Sequence, residues 1–152
     1  MKTAIEVADY ILNKAKSNND TVTPMQLLKL VYLCHGWMLG LYGRQLVSDE
    51  VEAWQYGPVI RSLYEKVRQF KSNAVEGPLS QKTEVVFDAA ERSIMDQIYT
   101  HYGQYSGPSL SRLTHKEGSP WHKTWTLEGK NSIISNDIIE DYYRNLSKAQ
   151  TT

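Results

Sequence analysis

Lys29, His35, His115, Glu117, Ser119 and His122 are side chains whose types and placement in this sequence single them out as candidates for chemistry. Wound as a helix at about 100° per residue, the run Pro24 to Leu41 puts His35 in the middle of an apolar arc, on the side opposite Gln26. A single histidine in such surroundings reads as a buried neutral imidazole with a backbone or side-chain partner. Lys29 lies instead on the narrow polar stripe with Gln26, Tyr32, Gly36 and Gly40. If other elements cover that helix, the ammonium must emerge at a groove or meet a carboxylate, because an unpaired buried charge is costly. Glu52 and Glu117 are the candidate partners.

His115, Glu117, Ser119 and Trp121 bunch at a helix corner. A metal held by His115, Glu117 and His122 would straddle the break and fits no known ligand spacing. The expectation is that His115 and Glu117 hydrogen-bond the exposed backbone ends of two helices while Trp121 plugs the core. Gly107-Pro108-Ser109-Leu110-Ser111 has the outline of a nucleophile elbow, but it ends in serine where glycine is required and no strand precedes it. There is no phosphate-cradling glycine loop and no paired-carboxylate motif. These absences predict a protein with no catalytic residue, no metal and no cofactor.

The elements that must position these groups follow from periodicity and punctuation. Pro24 to Leu41 is apolar on nearly every side, so it is expected to be a central rod covered by other helices, stopping near Tyr42-Gly43. Thr23 caps it, Pro24 takes the first helical position, and Gln26 completes a capping box. Gly36 and Gly40, four apart on one face, permit a neighbouring backbone to approach closely. Thr3 with Glu6 opens a first helix to about Lys16, with Ile5, Ala8, Ile11, Leu12 and Ala15 facing inward. Glu50 to Tyr56 alternates like a short strand, with Leu46-Val47 as its expected hairpin partner. Gly57-Pro58 then turns into a third helix from Val59 to about Phe70. Lys71 to Lys82 reads as an exposed, mobile loop.

Asp88 with Glu91 opens a fourth helix to about Tyr102, packed through Ile94, Met95, Ile98 and Tyr99 and closed by Gly103. Ser106 caps a fifth that runs to His115. Gly118-Ser119-Pro120 stops one helix and starts the next within three residues, with Trp121 and Trp125 four apart beyond it. Ser135 caps the last helix, to about Leu146, which buries Ile138, Ile139, Tyr142 and Leu146. The fold class is mainly α: one compact helical bundle, residues 1–148, around a buried central helix with a small β element and a frayed tail at 149–152.

Composition narrows the partners. Seventeen Lys and Arg balance seventeen Asp and Glu, so a broad basic face for nucleic acid is not expected. Cys34 is alone, which excludes an intrachain disulfide and a cysteine-built zinc module. No leader is visible, and the apolar run Leu30 to Tyr42 falls short of the roughly 20 residues a bilayer span needs. A cytoplasmic protein without membrane contact is expected. Ten Tyr and four Trp stand against two Phe. Such amphipathic aromatics suit protein interfaces, and Trp54 and Tyr56, with some of Tyr102, Tyr105, Tyr142 and Tyr143, are candidates for one exposed patch.

Three separated words occur in order: LLKLVYLCHGW at Leu27 to Trp37, VEAWQYGPV at Val51 to Val59, and LSRLTHKEGSPW at Leu110 to Trp121. Together they closely resemble the Panacea domain, the SocA-like antitoxin family of bacteria and their phages. The resemblance covers most of the chain. It departs at Leu28, where the pattern usually has Gln, at Cys34, where it usually has Ala, and across Ser72 to Lys82, which matches nothing. It implies an antitoxin that binds a cognate protein toxin directly and blocks it. Lys29, Trp54, Tyr56, His115, Glu117 and Trp121 are the candidate partner-binding residues. It also implies an alternative, an adaptor that delivers a toxin to an ATP-dependent protease. A third reading from another class, a small enzyme or ligand-binding domain using Lys29, His35 or His115, requires a deep pocket that gathers those side chains.

Overall fold

Three helices begin with the same local device. Thr3 with Glu6, Thr23 with Gln26, and Asp88 with Glu91 each form a reciprocal capping box, in which the cap side chain takes the third backbone N–H and the third side chain returns to the cap N–H. These open α1 (Ala4–Ser17), α2 (Pro24–Tyr42) and α4 (Ala89–Tyr102). Ser106 and Ser119 cap α5 (Gly107–His115) and α6 (Pro120–Glu128), each with a proline in the first turn. The computed structural model describes residues 1–81 and 84–150, position 150 by its backbone alone.

α2 is the axis. Every residue from Leu27 to Gly40 is buried, and α1, α4, α5, the strand β2 (Gly57–Val59), α3 (Arg61–Val67) and α7 (Asn136–Gln150) all pack on it. A helix apolar around most of its circumference is stable only when covered on several sides, and the surrounding elements provide that cover. Gly36 and Gly40 do what their spacing suggested. They face α7 (Asn136–Gln150), where a Cβ on Gly36 would stand 2.5 Å from the Tyr143 ring and one on Gly40 would stand 2.7 Å from Tyr143 Cβ. The buried stripe of α7 is therefore Ile139 and Tyr143, with Ile138, Tyr142 and Leu146 only partly covered. α7 also continues to Gln150, so the frayed tail expected from 149 is helical at its first two positions; residues 151 and 152 lie outside the described part.

The β element differs from the expected hairpin. β1 (Val51–Trp54) pairs antiparallel with β2 (Gly57–Val59) and with β3 (Ile133–Ile134), giving the order β2-β1-β3. Leu46 and Val47 are fully buried, and Val47 makes an isolated parallel bridge to Lys2. The cause is Gly57, whose φ of +120° lets the chain reverse directly after Gln55-Tyr56. Because Pro58 and Val59 are used in β2, the third helix α3 starts at Arg61 and ends at Val67, followed by a 3-10 turn at Arg68–Phe70. The segment expected to be a mobile loop is tied down over most of its length. Val75 is buried and its N–H donates to the Val22 carbonyl at 2.8 Å. The Asp9 carboxylate accepts from the N–H groups of Leu79 and Ser80. Lys82 lies outside the described residues.

Candidate functional site

The first turns of α2, the β1–β2 turn, the end of α3 and the α6–β3 turn enclose a groove of about 470 Å³. Met25, Leu28, Val59, Tyr64 and Val67 supply apolar wall, and Trp54 and Tyr56 stand beside them. Trp54 is fixed from three directions. Its indole N–H donates to Glu52 at 3.0 Å, the Arg61 guanidinium lies 5.1 Å over its ring, and the Tyr64 ring meets it edge-on at 4.8 Å. Arg61 in turn holds both Glu52 oxygens, at 3.1 and 2.8 Å. That pairing, followed by the Trp54 bond, keeps the Glu52 carboxyl below the usual carboxylate range. Tyr56, at the tip of the turn, is 63% exposed.

Lys29 is part of the groove wall and is 2% exposed. Its Nζ donates to the Pro58 carbonyl at 2.9 Å and lies beside Gly57, where a Cβ would stand 3.1 Å from it. Neither Glu52, which belongs to Arg61, nor Glu117, exposed on the far turn, pairs with it. No carboxylate among the described residues forms an ion pair with it. Burial alone pushes the amine down to about 7.

The remaining sequence candidates lie behind the groove. Ser111 Oγ donates to the Tyr56 carbonyl at 2.6 Å, and the Trp121 indole N–H donates to the Trp54 carbonyl at 2.5 Å. α5 and α6 therefore grip both shoulders of the β1–β2 turn. His115 donates through Nδ1 to the Ser111 carbonyl and packs edge-on against Trp121, which stacks on Trp125 at 5.1 Å. Glu117 plays no part in closing the corner: the Gly118 N–H donates to His122 Nδ1 at 3.2 Å instead. No group of His, Cys, Asp and Glu among the described residues is arranged to hold a metal.

His35 sits apart from all of this, as the neutral imidazole its position predicted. Its Nε2–H donates to Asn136 Oδ1 at 2.9 Å and its Nδ1 accepts the Val47 N–H at 3.4 Å, while burial pushes its pKa down. The groove thus contains Lys29 but neither His35 nor His115. The wider aromatic patch also divides. Tyr143 is buried, and Tyr102 and Tyr105 line a separate cleft of about 280 Å³ with Trp37 and Leu41.

Sequence reasoning missed the cationic rim: Arg68 and Lys71 follow α3, and Lys130, which joins them, lies some sixty residues further along the chain. It also missed the apolar floor, although Met25, Leu28 and Lys29 stand at positions i, i+3 and i+4 of one helix and so share a face. No helix among the described residues is long and apolar enough to cross a membrane.

The words that run through α2, the β1–β2 turn and the α5–α6 corner are those that build this groove and its backing. The family profile described as Antitoxin SocA-like, Panacea domain, matches residues 27–122. The chain belongs to that family. Among characterised proteins, Antitoxin SocA of Caulobacter vibrioides (strain NA1000 / CB15N) is 27% identical over 154 residues, covering 91% of this chain and 80% of that protein. No solved structure matches. The Panacea match begins inside α2 and ends early in α6, so α1, β3 and α7 lie outside it.

Proposed function

We propose that this Panacea-domain chain is an antitoxin that neutralises a cytoplasmic protein toxin by direct contact, with residues 1–148 as the unit that does so. Trp54 and Tyr56 belong to the contact surface, with Lys29 in its buried wall, His115 and Trp121 supporting it and Glu117 at its margin. What supports this above all is the convergence of Lys29, Trp54 and Tyr56 on one groove whose turn is braced from behind by Ser111 and Trp121. A rigid aromatic pair beside an apolar depression is the kind of surface from which hot spots are made, since little side-chain freedom is lost on binding. A catalytic role finds less support, because Lys29, His35 and His115 do not meet in one cavity. Occlusion of a toxin surface requires an interface of about 1,200 to 2,000 Å² in total, which the groove and its aromatic shoulders can seed.

The test is co-expression with the product of the adjacent reading frame. Growth should be rescued from its toxicity, the two chains should copurify in a fixed ratio, and toxin abundance should stay constant. Absence of rescue would overturn the proposal. Rescue accompanied by loss of the toxin protein would point to delivery to a protease instead.

A further inference from the structure

Resting on the antitoxin reading above, we propose that the groove takes an extended segment of the partner protein in which a large apolar side chain stands next to one or more carboxylates. The chain as a whole carries equal numbers of cationic and anionic residues, yet the exposed charged residues lining the groove, Arg68, Lys71 and Lys130, are all cations, and the buried Lys29 amine adds no negative charge. Arg68 shares its charge with Glu65 at 3.5 Å, while Lys71 and Lys130 form no ion pair among the described residues. Lys71 and Asn131, the neighbour of Lys130, both hold positive φ angles, +55° and +63°, so the rim on two sides is made by backbone turned out of its ordinary range. An apolar depression framed by one sign of charge favours an occupant with an apolar body and the opposite sign, and it rejects a basic or uncharged competitor.

The manner of binding is also constrained. β2 is an edge strand, but its outer edge cannot accept a further strand: Pro58 has no N–H, and its carbonyl already accepts from Lys29. Recognition must run through side chains. The volume, about 470 Å³, lies within the roughly 300 to 1,000 Å³ of pockets that hold compact ligands. The cations, however, come from two separate places, Arg68 and Lys71 after α3 and Lys130 between α6 and β3, instead of converging on one point. A chain bearing several groups satisfies that layout better than a single small carboxylate does.

The test uses the full chain and a phage-displayed library of random twelve-residue peptides, panned against wild type and against the double variant Lys71→Glu/Lys130→Glu. Both substituted side chains are exposed, and thermal melting checks that the variant folds. Enriched sequences should pair an aromatic or large aliphatic residue with Asp or Glu. The best synthetic peptide, followed by tryptophan fluorescence, should bind the double variant at least tenfold more weakly than wild type. Its Asp→Asn/Glu→Gln version should lose as much on wild type. Enrichment of basic or uncharged sequences, no enrichment, or affinity indifferent to the double variant would each overturn the proposal. So would saturable binding of sodium decanoate in the groove with no peptide bound, which would make it a small-carboxylate site. Failure here is separable from failure of the antitoxin reading: a double variant that neutralises the toxin as well as wild type leaves that function standing and removes this inference alone.

Discussion

Lys29 is an amine placed where water does not reach, with one carbonyl for company, and keeping it there costs the fold stability. Burial pushes its amine down to about 7 in the native state, against about 10.4 in an unfolded chain, a gap worth on the order of 5 kcal/mol. Between pH 7 and 10 the unfolded chain holds a proton at Lys29 that the native chain does not, so stability from this group rises with pH across that window and is lost as pH falls toward 7. Lys29→Met should flatten the dependence of the urea midpoint on pH between 7 and 9. The gain at neutral pH will be partly offset by about 1 to 3 kcal/mol for stranding the Pro58 carbonyl. An unchanged slope in the variant would mean that Lys29 is charged in the native state. The lowered His35 pKa acts in the same sense at lower pH: below its ordinary 6.5 the unfolded chain takes up a proton that the buried imidazole resists.

At the scale of elements, α2 and α7 pack closely, and the two glycines that allow it are not equivalent. A methyl group on Gly36 would first meet ring atoms of Tyr143, whereas one on Gly40 would first meet Tyr143 Cβ, its carbonyl carbon and the Arg144 amide nitrogen. Either alanine improves helix propensity by about 1 kcal/mol, but overpacking of about 1 to 3 kcal/mol or more outweighs it. Gly36→Ala should therefore lose most of its penalty in a Tyr143→Ala background, while Gly40→Ala should not. A double-mutant cycle by chemical denaturation distinguishes them; equal coupling at both sites would contradict the packing described.

What the sequence made legible here was local. The three capping boxes, the serine–proline helix starts and the all-round apolarity of α2 each need only a few adjacent residues to be read. The partners of β1 were not legible, because β3 lies some eighty residues away and nothing in Leu46-Val47 marks it as a plug beneath α1. Nor could periodicity choose between Tyr142 and Tyr143, neighbours of the same type on one helix, without knowing where the glycines of α2 would stand. The acceptor for Lys29 was hidden for a different reason: a backbone carbonyl has no side-chain signature.

For the molecule as a whole, the face that meets a partner should be separable from the framework that holds it. Tyr56 is solvent-exposed at the tip of a turn whose two flanking carbonyl groups are held by Trp121 and Ser111. Tyr56→Ala should leave the melting temperature within about 2 °C of wild type, as surface substitutions usually do. The same change should weaken toxin binding at least tenfold, measured by calorimetry on the copurified pair. A large fall in melting temperature with binding intact would reverse those roles.

The stacked Trp121–Trp125 pair, its planes 21° apart, carries an optical consequence. Two indoles at that separation couple their electronic transitions, so circular dichroism in the indole bands should show a paired signal that Trp125→Phe abolishes. Since Trp121 is hydrogen-bonded to the backbone of Trp54 in the groove, that signal is a built-in, label-free gauge of whether the seat is filled.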